Sequence, residues 1–174
     1  MVREISSGGV VLREISGTWH VALIEPQKES TTARTPRKRG KATLALPKGL
    51  VDPGETAPVT AIREVHEETG IVAEIIAKLA DIKYVYVRTW RDDERVFKIV
   101  SFYLLRYLSG EIDDVTPAMR IEVKRALWVQ LADASPQLMY SNERKVLRLA
   151  EDYLASRGLQ PENAAPSGKK APGQ

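Results

Sequence analysis

The chain has 174 residues, with 26 Lys and Arg against 23 Asp and Glu, a formal net charge of +3 and a pI of about 9.1. A hydrophobic share of 43% and a charged share of 28% are ordinary for a globular chain long enough to bury a core. The absence of cysteine excludes disulfides, thiolate nucleophiles and zinc–thiolate sites, and no apolar run reaches the roughly 18 residues of a membrane helix.

The N-terminus, MVREISSGGVV, lacks the apolar core of a signal peptide, so a cytoplasmic location is expected. Residues 5–15 alternate weakly around Gly8 and Gly9 and read as a strand with a bulge or close backbone approach. Residues 18–25 (TWHVALIE) read as a second strand. Segment 27–43 then collects Lys28, Arg34, Arg37, Lys38, Arg39 and Lys41 among Ser, Thr, Pro and Gly, and is expected to be a mobile basic loop. Residues 44–46 (LAL) form a short predicted strand leading into Pro47, Lys48 and Gly49. A helix is predicted over 57–69, with Pro58 in its first turn and Gly70 just past its end. Strands are predicted at 71–77, 83–90, 95–108 and 126–129, with Arg91 to Glu94 as a hairpin turn. A last amphipathic helix is predicted over 141–156, with Val146, Leu147, Leu149, Ala150 and Leu154 inward. The remainder, 157–174, cannot build a core and is expected to be a disordered tail, leaving one domain over 1–156.

The helix at 57–69 carries an unusual charge pattern. At 100° per residue, Val59, Ile62, Val65 and Thr69 gather on one side. Glu64, Glu67 and Glu68 gather on the other, at i, i+3 and i+4. Unpaired, three such carboxylates repel one another. A hard divalent cation reverses that sign, because Mg²⁺ and Mn²⁺ favour carboxylate oxygens. A solvated acidic face is the alternative, and the triplet alone does not choose between them.

The surroundings do choose. The stretch from Gly49 to Ile71, GLVDPGETAPVTAIREVHEETGI, resembles the Nudix box, G-x5-E-x7-R-E-U-x-E-E-x-G-U with U a bulky aliphatic residue. Gly49, Glu55, Arg63, Glu64, Val65, Glu67, Glu68, Gly70 and Ile71 fill every specified position. Gly8-Gly9, the LPKG run ending at Gly49, and Trp128-Val129 extend the resemblance over roughly residues 2–156. It implies a mixed α/β fold, an α/β/α sandwich around a central mixed sheet. It also implies metal-dependent hydrolysis of a phosphoanhydride in a nucleoside polyphosphate, with Mg²⁺ as cofactor and Mn²⁺ able to substitute.

By the same resemblance Glu64, Glu67 and Glu68 are the catalytic and metal-ligating residues, with the Gly49 carbonyl completing the shell. Glu122 is a further candidate ligand or base; its other reading is a surface glutamate among Arg120, Lys124 and Arg125. Arg63 lies off the predicted glutamate face and pairs with Glu55, so both are expected to be structural and to orient the ligands. Lys48 is expected to neutralise a phosphate as a mobile point charge. Tyr84 and Tyr86 are candidates to stack a base, and Tyr140 is similar to a family position lining the pocket or else packs; aromatic residues such as Trp90, Phe97, Phe102 and Tyr103 are core by default. His66 is expected on the apolar face, and Ser6 and Ser7 lack a His/Asp constellation for nucleophilic chemistry.

LPKG together with Lys98 looks like the diadenosine-polyphosphate hydrolase branch and its diphosphoinositol-polyphosphate relatives. The best substrate expectation is a dinucleoside polyphosphate such as diadenosine tetraphosphate. The alternatives are a (d)NTP or oxidised nucleotide, a diphosphoinositol polyphosphate, or a ligand-sensing module that binds without turnover. With no recognition helix and no aromatic RNA motif, nucleic acid is not an expected partner, nor is a membrane. Monomer and homodimer both remain open.

Overall fold

A computed structural model describes residues 1–27 and 42–158. Six strands form one sheet: β1 (Val2–Ile15), β2 (Thr18–Pro26), β3 (Lys48–Leu50), β4 (Val72–Arg88), β5 (Glu94–Ser109) and β6 (Val123–Gln130). The helices are α1 (Ala57–Thr69), the single turn α2 (Leu131–Ala134) and α3 (Ser141–Ser156). The strand order is β4-β5-β1-β2-β6, with β3 paired to β1 beside that path. β1 runs parallel to β5 from Val2 to Leu12 and antiparallel to β2 and β3. The sheet is therefore mixed, as expected.

β1 is buried without interruption from Ser6 to Leu12, the pattern of a strand covered on both faces. Val10 and Leu12 join Leu23, Phe102 and Leu104 in the core that α3 covers with Val146, Leu147, Ala150 and Leu154. Val11 faces the other way, into a core with Ala61, Val65, Ile71, Tyr103 and Leu105 that α1 covers. Gly8 meets the close approach expected of it: a Cβ there would lie 2.2 Å from the Pro47 carbonyl oxygen.

Several expectations shift. Leu44 and Ala45 make single bridges, to Leu138 and Ile24, and the strand proper comes later, at Lys48–Leu50. The strands predicted at 71–77 and 83–90 are one strand, β4. Irregularities at Val72/Ala73, Ile75/Ala77 and Lys78/Ala80 absorb the break in alternation that separated them in the sequence. Val59 is 52% exposed and Leu149 41%, so neither belongs to the inward stripe. In α1 the buried arc runs through Thr60, Ala61, Glu64, Val65, Glu68 and Thr69 instead. His66 is exposed rather than on the apolar face, and Trp90 is exposed in the β4–β5 turn rather than core. Most of the basic loop, 28–41, and the tail from 159 lie outside the described residues.

Candidate functional site

α1 begins after Thr56 with Pro in its first turn and ends at Gly70, whose N–H donates to the His66 carbonyl with φ at 82°. The glutamate face points into the molecule: Glu64 is 9% exposed and Glu68 5%. β3 crosses in front of them. The Glu64 carboxyl rests directly on the α-carbon of Gly49, where a Cβ would come within 2.1 Å of Glu64 Cδ. The Lys48 backbone N–H donates to Glu68 Oε1 at 3.0 Å. Strand and helix are thus docked through carboxylates.

Arg63 binds more than its expected partner. Its Nε and Nη2 each donate to Glu55, at 2.8 Å. Nη2 also reaches the Leu50 carbonyl at 3.0 Å. Nη1 donates to Glu64 at 2.9 Å and to both oxygens of Glu67 at 3.2 Å. Arg63 therefore does not lie off the glutamate face, because one fork spans an arc from Glu55 past Glu64 to Glu67. The Arg63 hydrogen bonds, aided by the Thr60 hydroxyl, hold the Glu55 carboxyl down to about 2. Burial has the reverse effect on the other two acids. Glu64 is raised by burial against the pull of Arg63, with Glu67 and Glu122 adding repulsion. Glu68 is pushed up to about 8 by burial, opposed by the Lys48 N–H and reinforced by the charges of Glu64 and Glu122.

Among the described residues no three His, Cys, Asp or Glu side chains stand ready as a metal cage. Arg63 Nη1 occupies carboxylate oxygens of Glu64 and Glu67. The donor chemistry nonetheless fits a hard divalent cation. All the candidate donors are oxygens, the type such a cation prefers, and burial raises both Glu64 and Glu68 against the pull of Arg63 and Lys48. Glu122 is exposed at the end of a 3₁₀ turn, and its charge reaches both buried glutamates.

The candidate substrate contacts divide into two groups. Lys48 Nζ lies 3.4 Å from Glu143 Oε2 and 5.4 Å from the ring centre of Tyr140. Burial works against this ammonium, but the charges of Glu143 and Glu68 outweigh it and raise its pKa. Tyr84 and Lys98 face each other across β4 and β5 and both feel the Lys48 charge. Lys98 is lowered by burial and by the neighbouring cations Lys48 and Arg88. Tyr86, whose ring centre lies 6.2 Å from that of Tyr84, turns its hydroxyl to an adjoining cluster around Glu4. Its hydroxyl donates to Glu4 at 2.8 Å, Arg88 binds the same carboxylate, and Lys98 stands 4.0 Å from it.

Two participants were missed in the sequence. Glu143 sits on the inward stripe of α3 with Val146, Leu147, Ala150 and Leu154, and a lone acid on an apolar stripe was the signal available. Glu4 carried no such signal; only the registers of β1 and β4 against β5, which set Glu4 opposite Lys98 and bring Tyr86 and Arg88 alongside, gather its partners.

Comparison with known proteins places this geometry. The NUDIX domain model matches residues 15–150. A Mycobacterium tuberculosis protein named as mutator protein MutT4 is 37% identical over 155 residues, covering 88% of this chain and 56% of its own length. The 8-oxo-(d)GTP phosphatase of Mycolicibacterium smegmatis is 36% identical over 104 residues, covering 60% of this chain and 29% of its own. The chain thus spans about half or less of the length of these two curated relatives. Among solved structures, a C. elegans Ap4A hydrolase binary complex superposes with a TM-score of 0.61 at 23% identity, covering 88% of this chain and 98% of that one. With a family model matched over most of its length and the glutamates of α1 gathered beside Gly49, the chain belongs to the NUDIX domain family, that of the Nudix hydrolases.

Proposed function

We propose that the protein hydrolyses a phosphoanhydride bond in a nucleoside polyphosphate with the help of Mg²⁺, for which Mn²⁺ can substitute. One observation carries this reading: two buried carboxylates, Glu64 and Glu68, are held against β3 with Glu67 beside them. A packed core has no use for that expense of desolvation. Glu64, Glu67, Glu68 and the Gly49 carbonyl would hold the ion, with Glu122 as a further candidate. A bound divalent ion supplies neutralisation of phosphate oxygens and a lowered pKa for water. The chain's own residues do the remaining work. Glu55 and Arg63 fix the turn before α1 and set the glutamate rotamers. Lys48 meets a phosphate oxygen, while the rings of Tyr84 and Tyr140, 37% and 50% exposed, offer stacking surface for a base.

For the substrate, the favoured reading is a dinucleoside polyphosphate such as diadenosine tetraphosphate. Lys48 and Lys98 share one electrostatic environment with two exposed tyrosines, which suits a long phosphate chain flanked by bases. The names of the sequence relatives favour a second reading, an oxidised nucleoside triphosphate. A panel with product identification decides between them. It should contain diadenosine tetraphosphate, dGTP and 8-oxo-dGTP, ADP-ribose and a diphosphoinositol phosphate, each with Mg²⁺. Turnover of the tetraphosphate above all others is expected. Preference for 8-oxo-dGTP would select the second reading, and binding without product release would make the chain a sensing module.

A further inference from the structure

Glu143 is 3% exposed on the first turn of α3, and its stripe neighbours Val146, Leu147, Ala150 and Leu154 are all apolar. Packing alone does not call for a charge there. Its two oxygens are divided between separate partners. Oε1 accepts from the Leu46 backbone N–H at 2.6 Å. Oε2 faces Lys48 Nζ at 3.4 Å. One carboxylate therefore grips both ends of the tripeptide Leu46-Pro47-Lys48, by the peptide at one end and by the side chain at the other. The same tripeptide touches the glutamate site, since the Lys48 N–H donates to Glu68.

We propose that Glu143 is a positioning residue, holding the Lys48 ammonium beside Tyr140 and Tyr84 where a phosphate chain would lie, and away from the carboxylate of Glu68. The proposal rests on the hydrolase reading above. Its physical basis is the lysine side chain, a point charge on a flexible four-carbon stem that does not orient itself. Lys48 has two acids within electrostatic reach, Glu143 and Glu68. Paired with Glu68, it would screen a carboxylate needed by a cation. Paired with Glu143 on α3, it leaves Glu68 available and keeps a fixed address. An ammonium displaced by about 1 Å can lose a large part of its effect on a transferring phosphoryl group. The simpler account is a buried ion pair that only fastens α3 to the loop before β3.

A double-mutant cycle separates the two. Glu143→Gln keeps the volume and the acceptor for the Leu46 N–H but removes the charge facing Lys48. Lys48→Met removes the ammonium. On whichever panel substrate the unaltered protein turns over, Glu143→Gln is expected to lower kcat about 10-fold or more with KM within about threefold. Adding it to Lys48→Met should cost nothing further. A Glu143→Gln rate within twofold of the unaltered protein, or a double variant whose loss is the product of the single losses, overturns the proposal. The ammonium can also be watched without turnover. In ¹⁵N-lysine-labelled protein the Lys48 NH₃⁺ resonance should be protected from water exchange, and should be lost in Glu143→Gln. If that variant does not fold, Glu143→Asp, which keeps the charge but draws it back from Lys48, takes its place: a lowered kcat with KM unchanged supports the proposal, and an unchanged rate, or absence of the resonance in the unaltered protein, overturns it. If the unaltered protein hydrolyses nothing, the hydrolase reading fails, while the resonance still tests whether Glu143 holds Lys48.

Discussion

Arg63 and Gly49 act on the same carboxylate from opposite sides. Arg63 donates to Glu64 at 2.9 Å, and Gly49 leaves no atom where a Cβ would sit 2.1 Å from Glu64 Cδ. Gly49→Ala should therefore displace either β3 or Glu64. The expected outcome is a loss of about 1–3 kcal/mol in denaturant unfolding, as for overpacking, together with loss of turnover. Normal stability and rate would mean that Glu64 moves aside freely and that its packing on Gly49 is incidental. Glu67→Gln and Glu68→Gln should each lower kcat by about 10²-fold or more while leaving far-UV circular dichroism unchanged. Near-normal rates in both would move the chemistry elsewhere. Glu64→Gln should also slow turnover, yet leave metal-free stability similar or higher, because a buried charge repelled by Glu67 is removed. Unfolding of that variant in the absence of metal would make Glu64 structural.

At the scale of elements, α1 and α3 cover opposite faces of one sheet, and each carries acids on its buried arc. Burial, not hydrophobicity alone, decides which positions matter on α3. Leu147 is fully buried and Leu149, two residues on, is 41% exposed. Leu147→Ala should cost about 2–5 kcal/mol, and Leu149→Ala about 0.5 kcal/mol or less, by urea unfolding of the two variants. Equal losses would mean that α3 is rotated from the face described. The segment between β5 and β6 is tied down by Asp113, which accepts from Arg120 at 2.7 Å and from the Ala126 N–H at 2.8 Å. The Arg120 hydrogen bond holds its carboxyl below the usual range, against the opposing effect of burial. A carboxyl lowered in the folded state contributes stability above its unfolded pKa and loses it as pH falls through the folded value. Asp113→Asn should therefore be less stable than the unaltered protein at pH 7. The two should converge as pH falls below the ordinary carboxyl range. A gap that persists in acid would assign the effect to packing.

For the molecule as a whole, raised carboxyls at Glu64 and Glu68 mean that a cation should stabilise the fold as well as serve the reaction. A ligand that binds only the folded state adds RT ln(1 + [L]/Kd), about 2.7 kcal/mol at a hundredfold excess over Kd. Thermal unfolding should therefore shift upward with Mg²⁺ or Mn²⁺, fall back with chelator, and lose the shift in Glu68→Gln. Full turnover after exhaustive chelation would refute metal dependence outright. Among the described residues no helix is long and apolar enough to cross a membrane.

What the sequence determined by itself was local. The span of α1, its glycine stop and the spacing of Glu64, Glu67 and Glu68 follow from turn chemistry and periodicity within a few residues of chain. Strand identity was equally legible where apolar, β-branched and aromatic residues ran together, in 18–25 and 95–108. Where it was interrupted, in the KLADI stretch of β4, only pairing with β5 shows one strand, because bulges are stabilised by the partner and not by their own residues. The orientation of α1 was likewise undecided locally. A helical wheel sorts apolar from charged residues, and on that basis Val59 fell on the packed side and the glutamates on the opposite one. The fold places β3 over the glutamates and leaves Val59 in solvent. The roles of Arg63, Glu143 and Glu4 depended on contacts from 1 to 97 positions apart, which composition and spacing do not encode. Periodicity tells a helix that it has a buried side. Only the elements packed against it decide which side that is, and whether a carboxylate there meets a cation, an arginine or water.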